Sequence, residues 1–380
     1  MEESLRPPPR FDWFIPIDGD GAHIGTFRAE RPPTFEYLRR VVEAAEECGY
    51  YSLLIPTRFT NGLFEETAPL AETWTTVTAL AAVTKRIRFL VAVRPGFIST
   101  GLFAQMAATL DQISGGRIDL NVVPGGIQGD FERFGVQIEH DQRYERAEEF
   151  IAALRALWAR PEPVVFEGST IRLKGAIVSP GPVNNPGPVG AGPQFYVGGA
   201  SPRALSFAAR GADVYLAWIQ PVAQIAGLLN RVRTEYETTA RRPVFGLRTH
   251  LVVRSTEREA WDAAEQLISQ ADERVIAQRR AAFEGTPMVG QQAQLRAELS
   301  ETAPRLWNGI SRVRVNLGTA IVGDPNQAIE ELLKYWRLGI DEFILSGFPH
   351  EEECRRVAAE VLPGLSAAIE QERAGQTASR

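Results

Sequence analysis

Eight short apolar runs, each bounded by glycine, proline or charge, recur along the chain with helical patterns between them, and that alternation leaves few architectures open. They cover residues 13–16, 52–55, 88–93, 118–123, 195–197, 214–217, 245–253 and 342–345. Short β-branched runs of this kind read as strands buried on both faces, which is how parallel strands sit between covering helices. The intervening pattern is plain after Pro33, where Leu38, Val41, Val42, Ala45 and Cys48 fall on one helical face. Eight strand–helix units predict a TIM (β/α)8 barrel, although a doubly wound open sheet carries the same local signature. In a barrel the active site is built at the C-terminal ends of the strands, so polar residues just after each run gain weight.

Three segments interrupt the alternation and read as insertions. Residues 164–173 alternate apolar and polar about Gly168, as a small hairpin does. Residues 179–193 are crowded with proline, glycine and asparagine, which suits either an ordered loop or a mobile linker. Residues 271–302 are polar and helix-prone. The tail QERAGQTASR is polar enough to be loose, so a single barrel domain is expected over residues 11–368 with a flexible tail over 369–380.

Composition excludes several classes. With 44% hydrophobic and 23% charged residues the chain can bury a large core, and a net charge of −6 disfavours a nucleic-acid surface. The opening MEESLRPPPR has no apolar segment of the kind a secretory signal needs, and no stretch approaches the ~20 apolar residues of a membrane helix. A cytoplasmic address with no membrane partner is the expectation. Cys48 and Cys354 lie far apart in sequence, outside metal-ligand or redox spacings, and read as reduced and structural. No metal site is expected.

Several residues could carry chemistry. In FYVGGASPRAL, successive backbone N–H groups at Gly198, Gly199, Ala200 and Ser201 open a helix, a geometry that suits a phosphate; an ordinary turn with a serine cap is the plainer alternative. Asn121, near the end of its strand, would reach the barrel mouth as a neutral donor and acceptor, or hold a loop. Arg248 and His250 alternate in GLRTHLVV, so on one strand both would project to the same face. Two basic groups inside a barrel require an anion, either a protein carboxylate or a bound phosphate or sulfonate. His140 could orient the mouth or simply cap the helix that follows it.

The phrases IPIDGDGAHIGT, TLDQISGGRIDLNVVPG, GTAIVGD and FILSGFPH resemble the alkanesulfonate monooxygenase branch of the bacterial-luciferase-like, FMNH2-dependent monooxygenases, with a likeness that spans residues 11–368. The resemblance implies the barrel. It also implies that the Gly198–Ser201 loop and Tyr144 bind the FMN phosphate and that Asn121 lies beside the reactive edge of the flavin ring. By the same likeness Arg248 and His250 contact substrate, Arg314 closes over flavin and substrate, Trp218 lines the pocket and His350 stands beside the sulfonate. Arg312 competes with Arg314 for its role, and Trp218 could equally be core. Residues 271–302 match a mobile cover over the active site.

Departures from that branch fall on the substrate side. Asp18 stands where its members commonly have histidine, Phe348 replaces the tyrosine of their SGYPH phrase, and the segment 58–74 is longer, with an RFT opening that looks more like relatives oxidising dimethyl sulfone. Asp18 could accept hydrogen bonds from hydroxyls, which makes a sugar sulfonate such as sulfoquinovose a specific candidate.

The resemblance thus implies a two-component monooxygenase that takes FMNH2 from a separate NAD(P)H-dependent FMN reductase, uses O2, and cleaves the C–S bond of an organosulfonate to an aldehyde and sulfite. Alternatives are oxygenation of a sulfone, heterocycle or natural-product nitrogen without sulfite release, and a flavin-binding protein without turnover. Members of the family are homodimers or homotetramers.

Overall fold

The computed structural model describes residues 6–125, 128–183, 186–187, 190–239, 241–283, 303–315 and 318–378. Eight parallel strands close into a barrel: β1 (Arg10–Phe14), β2 (Ser52–Ile55), β3 (Arg88–Val93), β4 (Ile118–Val122), β5 (Phe195–Gly198), β6 (Val214–Trp218), β7 (Val244–Arg248) and β8 (Glu342–Ile344). Each strand pairs with its neighbours in sequence and β1 pairs with β8, which separates this fold from an open sheet.

Alternation along the strands makes two cores. Phe14, Leu54, Leu90, Tyr196, Leu216 and Ile344 pack together within the ring, while Trp13, Leu53, Phe89, Val197, Tyr215 and Phe343 at the intervening positions join the surrounding helices. The helix Phe35–Glu47 shows why the helices form where they do. Thr34 caps it by accepting from the Tyr37 N–H, and Leu38, Val41, Val42 and Ala45 are buried, with Cys48 at its C-cap. Each of its larger apolar side chains contributes roughly 1.5–3 kcal/mol by leaving water.

The run at 245–253 is two strands rather than one. β7 ends at Arg248, and His250–Val253 leaves the ring to pair in parallel with Ala320–Gly323, which Leu306–Trp307 joins antiparallel. Thr249 N–H still donates to the Ile344 carbonyl of β8, whereas His250 N–H donates to Thr319 outside it. Arg248 and His250 therefore do not share a face by strand alternation.

The hairpin forms from Val164–Glu167 and Arg172–Ala176, and Glu149 accepts backbone N–H bonds from Ser169, Thr170 and Ile171 at its turn. The start of segment 179–193 is tied to the helix Thr100–Ser114 through Val183 N–H on Asp111 and Gln112 on the Gly181 carbonyl. Of the expected cover, Glu273–Phe283 is helical and residues 284–302 lie outside the described residues. The expected loose tail is instead helical as far as Ala378, with Ile369 buried and Arg337 paired to Glu372 at 2.5 Å. The two cysteines, distant in sequence, meet as free thiols joined by a hydrogen bond, which pulls Cys48 down to about 7. Among the described residues no helix is long and apolar enough to cross a membrane.

The floor of the barrel is acidic. Asp12 of β1 and Glu342 of β8 are both 0% exposed; Tyr196 donates to Glu342 Oε2 at 3.1 Å, and Arg10 comes only to 3.6 Å. Burial, and after it the facing Glu342, push the Asp12 carboxyl well above the usual carboxylate range. A raised folded-state value means that folding is most favoured below the unfolded value of about 4. This contribution is lost as pH rises through the folded value, because the unfolded chain releases the proton first. Asp12→Asn should therefore be more stable than the parent at pH 9 by about 1–3 kcal/mol, with a gap that shrinks towards pH 4. Urea unfolding at both pH values checks this; a gap of the same size at both would show that Asp12 does not titrate across that range.

Candidate active site

At the opposite, C-terminal end of the ring the buried charge is positive. Arg248, the last residue of β7, is 0% exposed and reaches no carboxylate among the described residues. Its Nη1 donates to the carbonyls of Thr249 at 2.5 Å and Ile344 at 3.3 Å, and its Nη2 to Ser346 Oγ at 2.8 Å. Its Nε has no hydrogen-bond partner among the described residues. The guanidinium lies 4.7 Å from the ring centre of Phe14 and 5.6 Å from that of Trp218. Burial, and then Arg314, push Arg248 well below the ordinary guanidinium value.

Arg314 is also buried, whereas Arg312, its competitor in the sequence, is exposed. Arg314 Nη1 lies 2.6 Å from His250 Nε2, and His250 Nδ1 lies 2.6 Å from Ser346 Oγ. A guanidinium can only donate, so Nε2 accepts, and a neutral ring carries its proton on Nδ1. Burial, followed by Arg248, Arg314 and His350, pushes His250 well below its usual value and keeps it neutral. Ser346 Oγ thus accepts from both Arg248 and His250, which leaves its own hydroxyl hydrogen to donate elsewhere. The two basic residues meet through Ser346 on the loop after β8, not through a shared strand face.

A third guanidinium joins the cluster. Arg58, on the loop after β2, has a side chain 4% exposed, and its Nε and Nη2 lack hydrogen-bond partners among the described residues. Its one carboxylate among the described residues is Asp18, at 3.6 Å. Asp18 is itself engaged: Oδ1 accepts the Gly62 N–H at 2.6 Å, and its carbonyl accepts from Asn61. Asn61 also donates to the Pro69 carbonyl and accepts from the Leu63 and Phe64 N–H groups, so it organises the 58–74 segment. Burial, then Arg58, push Arg314 down to about 9, with Asp18 opposing. A guanidinium yields its proton reluctantly, so an incoming anion relieves this strain more readily than deprotonation does. From the helix Glu273–Phe283, Arg279 donates to the carbonyls of Asn61 at 3.2 Å, Val313 at 3.4 Å and Phe64, which ties the described part of the expected cover to these loops.

Aromatic and imidazole rings line the same end. Phe348 stacks on His250 with centroids 5.6 Å apart and meets His350 edge-on at 4.8 Å. His350 opens the helix His350–Glu360, and its backbone N–H donates to Asp20 Oδ2 at 2.6 Å. Its ring is 1% exposed, and among the described residues neither ring nitrogen has a hydrogen bond, although Nδ1 lies 3.2 Å from Asp20.

The expected phosphate cradle lies across the mouth. A Cβ on Gly198 would stand 2.8 Å from the Leu216 carbonyl oxygen, and one on Gly199, at φ +134°, would stand 2.6 Å from Ala204 Cβ. Glycine alone permits this close turn onto the helix Pro202–Gly211, where Ser201 caps by accepting from Ala204 N–H. Tyr144 packs edge-on against Phe207, in the second turn of that helix. These residues fit a phosphate. Asn121 lies on β4 in register with Tyr196 of the adjoining β5. His140 begins the helix His140–Ala159; its side chain lies outside the described residues.

The structure thus brings Arg248, His250, Arg314, Trp218, Phe348 and His350 to one end, with Asp18 reaching them through Arg58. Gly198, Gly199, Ala200 and Ser201 form a second group, with Tyr144 against the helix that follows them. Sequence reasoning missed Arg58 and Ser346 as site members. Both lie within three residues of a strand end, in the RFT and FILSGFPH phrases, and strand-end position was the available signal.

The model of the luciferase-like monooxygenase family matches residues 10–342. Similar solved structures include a long-chain alkane monooxygenase, with a TM-score of 0.77 and 17% identity over 96% of this chain and 92% of that one. EDTA monooxygenase from Chelativorans sp. BNC1 has a TM-score of 0.74 and 18% identity over 95% and 94%. A riboflavin lyase solved with modified FMN and riboflavin has a TM-score of 0.76 and 18% identity over 95% and 92%. At these identities the likeness is one of fold.

Ser346→Ala should leave Arg248 Nη2 and His250 Nδ1 buried without their shared acceptor, lowering unfolding free energy by roughly 2–4 kcal/mol. Denaturant unfolding measures it, and an unchanged midpoint would contradict the shared-acceptor geometry.

Proposed function

We propose for this chain, which belongs to the luciferase-like monooxygenase family, an FMNH2- and O2-dependent oxygenation of an organosulfonate that ends in an aldehyde and sulfite. The observation that carries this reading is the buried trio Arg58, Arg248 and Arg314, with Asp18 as its one carboxylate among the described residues. Such a cluster is costly unless an anion completes it, and forked guanidinium donors match the oxygens of a sulfonate. One solved relative is named for EDTA, a polyanion.

In this reading the backbone N–H groups of Gly198 to Ser201 hold the FMN phosphate, with Tyr144 beside them and Asn121 near the ring. Reduced FMN, when bound, supplies the electrons that activate dioxygen. The chain's own residues bind, orient and handle protons. Arg248 and Arg58 fix the sulfonate, and Trp218 and Phe14 wall the site against water. When Arg314 turns to the sulfonate it uncovers His250 Nε2. The sulfonate charge offsets the guanidiniums, so the freed nitrogen gains basicity and accepts a proton from the sulfonated carbon. One oxygen atom enters at that carbon and the other leaves as water. The C–S bond breaks with its electron pair on sulfite, and the carbon becomes the aldehyde. A separate NAD(P)H-dependent FMN reductase delivers FMNH2, and the protein works as a homodimer or homotetramer.

Arg314→Ala should reduce kcat/KM about 10²–10³-fold while the melting temperature stays within a few degrees. Sulfite and aldehyde released per FMNH2 oxidised are the readouts. Undiminished sulfite from the variant would contradict the role of Arg314. An oxygenated product without sulfite would move the reading to a sulfone, heterocycle or amine substrate. Flavin binding without substrate-dependent oxygen uptake would leave a flavin-binding protein.

A further inference from the structure

Beside the cationic cluster, the segments after β2, β3 and β4 gather four phenylalanines. Phe59 and Phe97 stack with centroids 4.2 Å apart, Phe59 and Phe134 lie 4.7 Å apart, and Phe97 and Phe131 lie 5.2 Å apart. Phe131 is buried beneath, held by the Arg143 guanidinium at 4.0 Å. Arg94 lies 4.9 Å from the ring centre of Phe59 and 5.8 Å from that of Phe131, so a second guanidinium backs the stack. Phe59 and Phe97 are only half-buried, and Phe134 is 51% exposed. Rings brought together from three strand ends, anchored from below and open above, form a shelf and not a core.

The shelf is joined to the anion site through the chain itself. Arg58 belongs to the buried cationic cluster, with unpartnered Nε and Nη2, and Phe59 is the next residue. Their Cα atoms are therefore about 3.8 Å apart. A ligand that engages both carries its flat apolar part and its charge in one molecule. A stacked π surface backed by guanidinium favours another ring over a flexible alkyl chain, which would also lose more conformational freedom on it.

We infer that the substrate is an arylalkanesulfonate, read jointly by Arg58 and the Phe59–Phe97–Phe134 shelf. This rests on the reading that the site takes an organosulfonate. The sulfonated carbon must still bear hydrogen if an aldehyde is to form, which places a methylene between ring and sulfur.

The test is calorimetric titration of the full chain, with FMN present, by phenylmethanesulfonate and by 1-heptanesulfonate, which have equal carbon number. The aryl compound should bind about tenfold more tightly, although the alkyl chain is the more hydrophobic. Phe59→Leu should reduce that margin to under about twofold while leaving heptanesulfonate within about twofold of its parent affinity. Arg58→Met should weaken both compounds about tenfold or more. Equal affinities in the parent, a margin untouched by Phe59→Leu, or no binding of either compound would overturn the inference. Benzyl alcohol binding as tightly as the sulfonate would overturn its charged half. Because no turnover is needed, these outcomes are separable from a failure of the oxygenation reading, which would appear as absent substrate-dependent oxygen uptake.

Discussion

Three guanidiniums held out of water around one carboxylate set the terms for everything at the mouth of this barrel. Arg58, Arg248 and Arg314 cannot all be stable there by ion pairing, because Asp18 is 3.6 Å from Arg58 and also holds Gly62. The protein offers weaker substitutes: the carbonyls of Thr249 and Ile344, the Ser346 hydroxyl, the neutral ring of His250 and the face of Phe14. Each takes part of the charge and none neutralises it. A site arranged in this way gains most from a ligand that brings negative charge with it.

The barrel can hold such an arrangement because its walls are rigid and its two ends are kept apart. Asp12 and Glu342 form an acidic floor, the arginines form a cationic mouth, and Phe14, Leu54, Leu90 and Ile344 pack between them. Phe14 belongs to both halves of this plan. It sits one turn of the pleat above Asp12 on β1, and the guanidiniums of Arg248 and Arg314 lie 4.7 Å and 5.2 Å from its ring centre. The apolar layer keeps the floor carboxyls out of reach of the arginines, so the mouth remains short of anion.

Much of the fold was legible because strand burial leaves a local mark: the runs at 52–55 and 88–93 match β2 and β3 residue for residue. The break at Thr249 was not legible, since both halves of 245–253 are equally apolar and only the partner strands differ. The same limit applied to the site. Arg248, His250 and Arg314 could be nominated by type and resemblance, but the serine that joins the first two comes from a loop about a hundred residues away. Arg58 looked like the start of an insertion, and its burial follows from Asn61 and Gly62 folding the segment back on Asp18. The helical end of the chain depends on the buried Ile369 and the Arg337–Glu372 pair, which a polar composition conceals.

Thermal unfolding of the full chain and of its Arg248→Met variant, at low ionic strength and with increasing methanesulfonate, bears on the charge imbalance itself. Removing one of three crowded guanidiniums should make the variant melt higher than the parent when no sulfonate is present. Sulfonate should then raise the parent by several degrees and the variant by far less, closing or reversing the order. A variant that melts below the parent, together with a parent indifferent to sulfonate, would show that the protein already satisfies its own charges and that the mouth was not built for an anion.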